Sequence, residues 1–149
     1  MPQKDASHDI VKQALIKEGW IITDDPYVIS YGERFLFVDL AAKSIPKGQF
    51  IGAQRKSQFI AVEIKEFKGK SAINDLQQAI GQYVLYNLLL KQVDPQRQVY
   101  LAISHVAYDE IFSEPIGELV TQELPMNLIV VNKNTQQVQQ WINKTTPKP

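Results

Sequence analysis

Asp39, Glu63 and Lys65 combine residue types and spacing that can do chemistry. Glu63 and Lys65 stand two apart in the apolar run 59–66, whose β-branched and aromatic residues read as a strand. Side chains two apart on a strand share a face, so this carboxylate and this ammonium point the same way. Asp39 ends the preceding apolar run, 34–41. If the two strands pair, Asp39 can lie beside Glu63, and two like charges in one place are relieved by a divalent cation or a shared proton. Two carboxylates, a hard cation and a neighbouring ammonium can cleave a phosphodiester. Asp39 and Glu63 would hold Mg²⁺ or Mn²⁺, the cation would polarise the phosphoryl oxygen and acidify a water, and Lys65 would orient that water or stabilise the developing charge. The plainer alternative is a structural ion pair of Lys65 with one carboxylate at a strand end. The tripeptide Glu-x-Lys discriminates little by itself, because Glu66-Phe67-Lys68 repeats it. Only the first copy sits inside an apolar strand with an acid ending the strand before it.

The elements that must position these groups follow from hydrophobic periodicity. Residues 5–19 read as an amphipathic helix with Ile10, Val11, Ala14 and Leu15 on one face, and Gly19 is placed to end it. Trp20, Ile21 and Ile22 predict a short strand, stopped by the turn signal Asp24-Asp25-Pro26. In run 34–41, Phe35, Phe37 and Asp39 share one face, with Leu36, Val38 and Leu40 on the other. Residues 42–58 are polar and basic, with Pro46, Gly48 and Gly52, and read as a loop or ragged hairpin. In run 59–66, Ile60, Val62 and Ile64 face one way and Phe59, Ala61, Glu63 and Lys65 the other. The longest helix spans about 71–91, with Ile73, Leu76, Ile80, Tyr83, Val84 and Leu88 as its apolar stripe, and Asp94-Pro95 marks the turn beyond it. Runs 99–103 and 128–131 are continuously apolar, as in strands buried on both faces, with a helix or loops over 108–124 between them. This alternation predicts an α/β fold with a mixed central sheet flanked by helices. A single domain over 1–142 is expected, followed by a flexible C-terminal tail over 143–149, which holds two prolines and no apolar residue.

Composition narrows the chemistry. A chain of 149 residues matches one domain with a sizeable core. It has no cysteine and two histidines, His8 and His105, so any metal must be held by carboxylates, which suit Mg²⁺, Mn²⁺ or Ca²⁺. His8 reads as a helix-start residue and His105 as a turn residue. Charges interrupt the apolar positions of the N-terminus and no apolar run is long enough for a bilayer, so a cytoplasmic protein without membrane association is expected. Sixteen basic and sixteen acidic residues cancel, which argues against coating nucleic acid through bulk charge. The distribution is less even. Segment 40–70 carries Lys65 and six further cations, Lys43, Lys47, Arg55, Lys56, Lys68 and Lys70, against Glu63 and Glu66. Segment 109–123 carries five acids and no base. The six cations are candidates for a DNA phosphate groove, with two solvated surfaces as the plain alternative. Gly69-Lys70-Ser71 imitates the end of a nucleotide-binding loop, but Ile64 stands where that loop requires glycine, so NTP binding is rejected. The helix start at Ser71 could still hold a backbone phosphate of DNA.

The order helix, strand ending in Asp39, strand bearing Glu63-Ile64-Lys65, helix resembles the PD-(D/E)xK nuclease superfamily. The resemblance implies a restriction-endonuclease-like αβββαβ core. On the second helix, Gln78-x-x-x-Gln82-x-x-x-Tyr86 is similar to the glutamine and tyrosine motif that many of these nucleases place beside the metal, and Asp9 stands where several resolvase-like members carry a glutamate. Gln78, Gln82 and Asp9 therefore join the catalytic candidates by resemblance. Alone, the glutamines would be solvated helix positions, Tyr86 a packing residue and Asp9 a residue favoured by the helix dipole. Val38 departs from the superfamily pattern, in which proline often precedes the first Asp. More closely, MPQKDASHDIVKQALIKEGW, FLFVDLAA, IAVEIKEF and DLQQAIGQYVLY together resemble the XisH family, the excision controlling factors of cyanobacterial developmental DNA rearrangement. That resemblance covers nearly the whole chain. It implies a part in excising a DNA element alongside a recombinase and a partner called XisI, and fold analogy implies a homodimer. It does not imply a cleavage reaction. Two readings follow: a Mg²⁺-dependent endonuclease or nuclease-like DNA-binding factor, and a catalytically silent regulatory subunit that binds a protein partner, to which the acidic 109–123 segment points.

Overall fold

The computed structural model of the chain describes residues 6–45, 57–67 and 71–144. Lys47, Arg55, Lys56, Lys68 and Lys70, expected at a phosphate groove, lie outside the described residues, as do 145–149 of the expected tail. The elements run α1 (Ala6–Lys17), β1 (Trp20–Asp24), β2 (Tyr27–Tyr31), β3 (Arg34–Val38), β4 (Leu40–Ser44), β5 (Phe59–Ile64), α2 (Ala72–Val93), β6 (Arg97–Ser104), α3 (His105–Ile111), α4 (Pro115–Glu123), β7 (Leu128–Asn132) and β8 (Gln137–Ile142). Six strands form one mixed sheet in the order β1-β4-β5-β6-β7-β8. Strands β5, β6 and β7 are parallel, while β1, β4 and β8 join antiparallel. Parallel neighbours need long crossovers, supplied by α2 between β5 and β6 and by α3 with α4 between β6 and β7. The expected α/β class and mixed sheet are therefore observed. No helix among the described residues is long and apolar enough to cross a membrane.

Each face of the sheet is closed by one long helix. On one face, Val11, Ala14 and Leu15 of α1 pack against Leu40, Ile60, Val62, Ala102 and Ile129. On the other, Leu76, Ala79, Tyr83 and Leu90 of α2 pack against Ala61, Val99, Leu101 and Leu128. The alternation along β5 thus sends Ile60 and Val62 to α1 and Ala61 to α2, as period two dictates. Gly19, at φ 93°, turns the chain out of α1. The Ser71 hydroxyl caps α2 by accepting from Asn74 N–H at 3.1 Å.

The run 34–41 is not one strand. It breaks at Asp39: β3 folds back on β2 as a separate antiparallel ribbon, and β4 enters the main sheet between β1 and β5. Gly32, at φ 59°, lies in the turn between β2 and β3. Tyr27, Val28, Ile29 and Tyr31 carried the signal for the partner strand. Ala41 and Ala42 are buried in β4, so the expected loop begins later than residue 42. Helix α2 also turns a different face inward. Its buried residues are Asp75, Leu76, Ala79, Tyr83, Tyr86 and Leu90, while Ile73, Val84 and Leu88 of the expected stripe are exposed. The polar strand β8 escapes periodicity and is anchored by Trp141, stacked on Trp20 at 5.5 Å. Asn143 and Lys144, the first residues of the expected tail, are hydrogen-bonded: Asn143 Nδ2 donates to the Tyr100 hydroxyl at 2.6 Å, and Lys144 N–H to Asn127 Oδ1 at 2.7 Å.

Arg97 joins the ribbon to the sheet. Its Nε donates to Asp94 Oδ2 at 2.8 Å, one terminal nitrogen donates to the Ile60 carbonyl at 3.0 Å, and its guanidinium lies over the Tyr27 ring. The Tyr27 hydroxyl donates to the same Asp94 oxygen at 3.0 Å.

Packing of α4 on α3 depends on Gly117, where an added Cβ would collide with the main chain of Ile111 and Phe112. Gly117→Ala should lower the unfolding free energy by about 1–3 kcal/mol. Gly81→Ala, at a helix position where a Cβ meets nothing within 4 Å, should raise it by about 0.5–1 kcal/mol. Urea denaturation of the two variants checks the opposite signs.

Candidate functional site

The break that separates β3 from β4 also builds the site. Strands β4 and β5 pair with Leu40 opposite Val62 and Ala41 opposite Ala61, so Asp39 continues the register opposite Glu63. The two residues hold each other through main-chain donors. Ile64 N–H donates to Asp39 Oδ2 at 2.8 Å, and Asp39 N–H donates to Glu63 Oε1 at 3.3 Å. Glu63 is only 8% exposed. Burial first, then the negative charge of Asp39, pushes its pKa up to about 8, with the Asp39 N–H and the Lys65 charge pulling the other way. Burial and the Asp39 charge thus both favour the protonated form of Glu63.

Lys65 lies just past the end of β5, and its N–H still donates to the Ala102 carbonyl of β6 at 3.0 Å. Its Nζ donates to Gln78 Oε1 at 2.7 Å. Gln78, Gln82 and Tyr86 recur every four residues and so share one face of α2. The Tyr86 hydroxyl donates to the Phe37 carbonyl at 3.2 Å. Its phenol is held neutral by burial first and then by the charges of Glu63 and Asp39, which places it beside the pair. Between Gln78 and Tyr86, Gln82 is half-buried, and its buried Oε1 has no hydrogen-bond partner among the described residues. An unpaired buried acceptor costs about 1–3 kcal/mol, so it is a group in want of a donor.

The structure thus gathers Asp39, Glu63, Lys65, Gln78 and Gln82 at the junction of β4, β5 and α2. Asp9 is exposed in the first turn of α1, and among the described residues no three His, Cys, Asp or Glu side chains cluster as metal ligands. Lys43 lies toward the far end of β4, paired opposite Phe59, away from Asp39. Two hard carboxylates fit a cation such as Mg²⁺ or Mn²⁺, which keeps several waters and takes one or two protein carboxylates. The cation would replace the proton on Glu63 as the relief of like charges. Sequence reading missed Ile64 as the donor that fixes Asp39, because main-chain contacts leave no side-chain signature.

The family model described as XisH protein matches residues 1–139 of the chain. Among solved structures, an XisH family protein from Nostoc punctiforme is 33% identical, with TM-score 0.80 over 93% of this chain and 100% of that one. A fdxN element excision controlling factor protein from Anabaena variabilis is 36% identical, with TM-score 0.81 over 94% of this chain and 100% of that one. No curated protein matches the chain.

Because the Glu63 pKa rises from 4.5 to about 8, the folded protein retains a proton that the unfolded chain releases. The stability tied to that proton is complete below the unfolded value and is lost as pH rises through the folded one. In chelator, wild-type Tm should therefore fall between about pH 5 and about pH 9, whereas Glu63→Gln, neutral throughout, should flatten the dependence by about 3 °C or more. Thermal melts of both proteins across that window measure it.

Proposed function

This chain belongs to the XisH family, and we propose that it is a nuclease-like, nucleic-acid-binding factor in the excision of a DNA element, working in the cytoplasm. It would hold a single Mg²⁺ or Mn²⁺ at Asp39 and Glu63. The observation that carries this reading is the mutual anchoring of the two carboxylates across β4 and β5, where burial and the Asp39 charge raise the Glu63 pKa. A restriction-endonuclease-like core is supported by the order α1, antiparallel β4 and β5, then crossover α2 to parallel β6. The Anabaena variabilis relative is described as an excision controlling factor, which supports the same process for this chain.

A divalent cation bound there would supply Lewis acidity toward a phosphoryl oxygen. The remaining work falls to the chain. Ile64 N–H fixes the Asp39 carboxylate. Glu63, once ionised, would hold the cation together with Asp39. Gln78 orients the Lys65 ammonium, which stands ready to stabilise charge developing on the phosphate. Gln82 offers its buried acceptor to a water, and Tyr86, neutral throughout, shapes the wall behind the pair.

A second reading is a catalytically silent subunit that acts through an XisI-like partner and the recombinase, or as a homodimer. It is favoured by Phe35 and Phe37 on the outer face of β3 and Leu88 on α2, which are 66%, 54% and 56% exposed.

Calorimetry at neutral pH should show Mg²⁺ or Mn²⁺ binding with release of about one proton from Glu63, read as a heat that changes with the ionisation enthalpy of the buffer. Asp39→Ala should abolish it, and metal binding that ignores Asp39 would sink the proposal. With supercoiled and branched DNA, cleavage by wild type should fall at least about 100-fold in Asp39→Ala and Lys65→Ala. Asp39-dependent binding without cleavage selects the accessory reading.

A further inference from the structure

On the α1 side of the same sheet edge, where β5, β6 and β7 end together, lies a cavity of ≈ 110 Å³. Open sheets leave ligand crevices at the carboxyl ends of their parallel strands. The floor is apolar, from Val11, Ile64, Ala102 and Val131. The rim carries Lys133 with Glu66 and Glu110, and Lys133 Nζ lies 3.5 Å from Glu66 Oε1, while the Lys65 ammonium turns away to Gln78. Ser7 of α1 lines the cavity while only 3% exposed, and its hydroxyl has no hydrogen-bond partner among the described residues.

We infer that this cavity takes one nucleobase, unstacked from the nucleic-acid strand whose backbone lies at the carboxylate pair; the inference rests on the function proposed above. Size selects a ring, because a water needs about 10–15 Å³, so the space holds several waters' worth of one small ligand and no dinucleotide. Charge selects a neutral ligand. A phosphate would face Glu66 and Glu110, and a cation would face Lys133, whereas a base offers π-faces to the apolar floor and polar edges to the rim. The Ser7 hydroxyl can donate or accept, and Glu110, exposed at the rim, can accept from an exocyclic amino group.

Connectivity ties the cavity to the site. Glu63 points toward α2, and its neighbour Ile64 lines the cavity on the α1 side. The Ile64 N–H is the group that holds Asp39. Cavity and carboxylates therefore stand on successive residues of β5, whose side chains leave the strand on opposite faces at the same sheet edge. Extruding a base costs least where it is already unpaired, so the substrate class is nucleic acid with single-stranded, mismatched or branch-point bases.

Two arms test this on the full chain. In the first, adenosine and cytidine are titrated into methyl-labelled protein; the Ala102, Ala107 and Val131 methyls should shift, with Kd in about the millimolar range expected of so small a ligand. In the second, oligonucleotides carry 2-aminopurine at an unpaired or a paired position. Emission should change about threefold or more on binding at the unpaired position, through loss of stacking. Ala107→Phe, which fills the cavity, should abolish both signals, and Glu110→Gln at the exposed rim should weaken base binding about tenfold while leaving the fold intact. Nucleoside shifts should survive Asp39→Ala, so failure of the metal site and failure of the cavity are told apart. Absent methyl shifts, or emission changes that persist in folded Ala107→Phe, would overturn the inference. Shifts with nucleosides but unchanged strand emission would assign the cavity to a free nucleoside and overturn the strand-base reading.

Discussion

Two carboxylates that face each other across the β4–β5 pairing are the constraint around which the rest is arranged. Like charges at the edge of a buried sheet cannot both ionise without help. The help at hand is hydrogen bonding from main-chain N–H groups across the pair and a Glu63 pKa raised toward the protonated form. Because one bond runs from the Ile64 N–H to the Asp39 carboxylate and the other from the Asp39 N–H to the Glu63 carboxylate, they also pin where β4 starts against where β5 ends. The chain before Asp39 lies outside the main sheet, where β3 pairs with β2.

Helix α2 then supplies the second wall. Ala79 and Tyr83 belong to the core under it, while Gln78, Gln82 and Tyr86 follow the neighbouring line of the same helix toward the carboxylates. One helix thus serves packing and polarity on adjacent stripes. Lys65 is held by Gln78, which keeps its charge beside the acidic pair.

Much of this was legible in the sequence. Period two placed Glu63 and Lys65 on one face of β5, and the acid ending the run 34–41 identified Asp39. What failed did so for physical reasons. The run 34–41 reads as continuous because a strand that changes partners keeps its β-forming residues on both sides of the change. The inward face of α2 escapes a hydrophobic count because Ile73, Val84 and Leu88 outweigh Ala79 and Asp75, yet Ala79 and Asp75 are buried with Leu76, Tyr83, Tyr86 and Leu90. Strand β8 carries glutamines and no long apolar run, and its place is set by Trp141 against Trp20 and Tyr100. The cavity draws its lining from α1, β5, β6, α3 and β7, residues scattered too widely for any local pattern.

The anchoring of Asp39 by an amide has a consequence for how such a site tolerates sequence drift. A carboxylate positioned by a neighbouring side chain is lost when that neighbour mutates. A carboxylate positioned by a peptide N–H answers only to strand register, which Leu40, Ala41 and Ala42 share with Val62, Ala61 and Ile60 over the whole β4–β5 contact. Ile64 can become any residue except proline and still donate the same bond. The geometry of the pair is therefore inherited with the ladder rather than with its surroundings, and substitutions around it are free to retune what binds beside it.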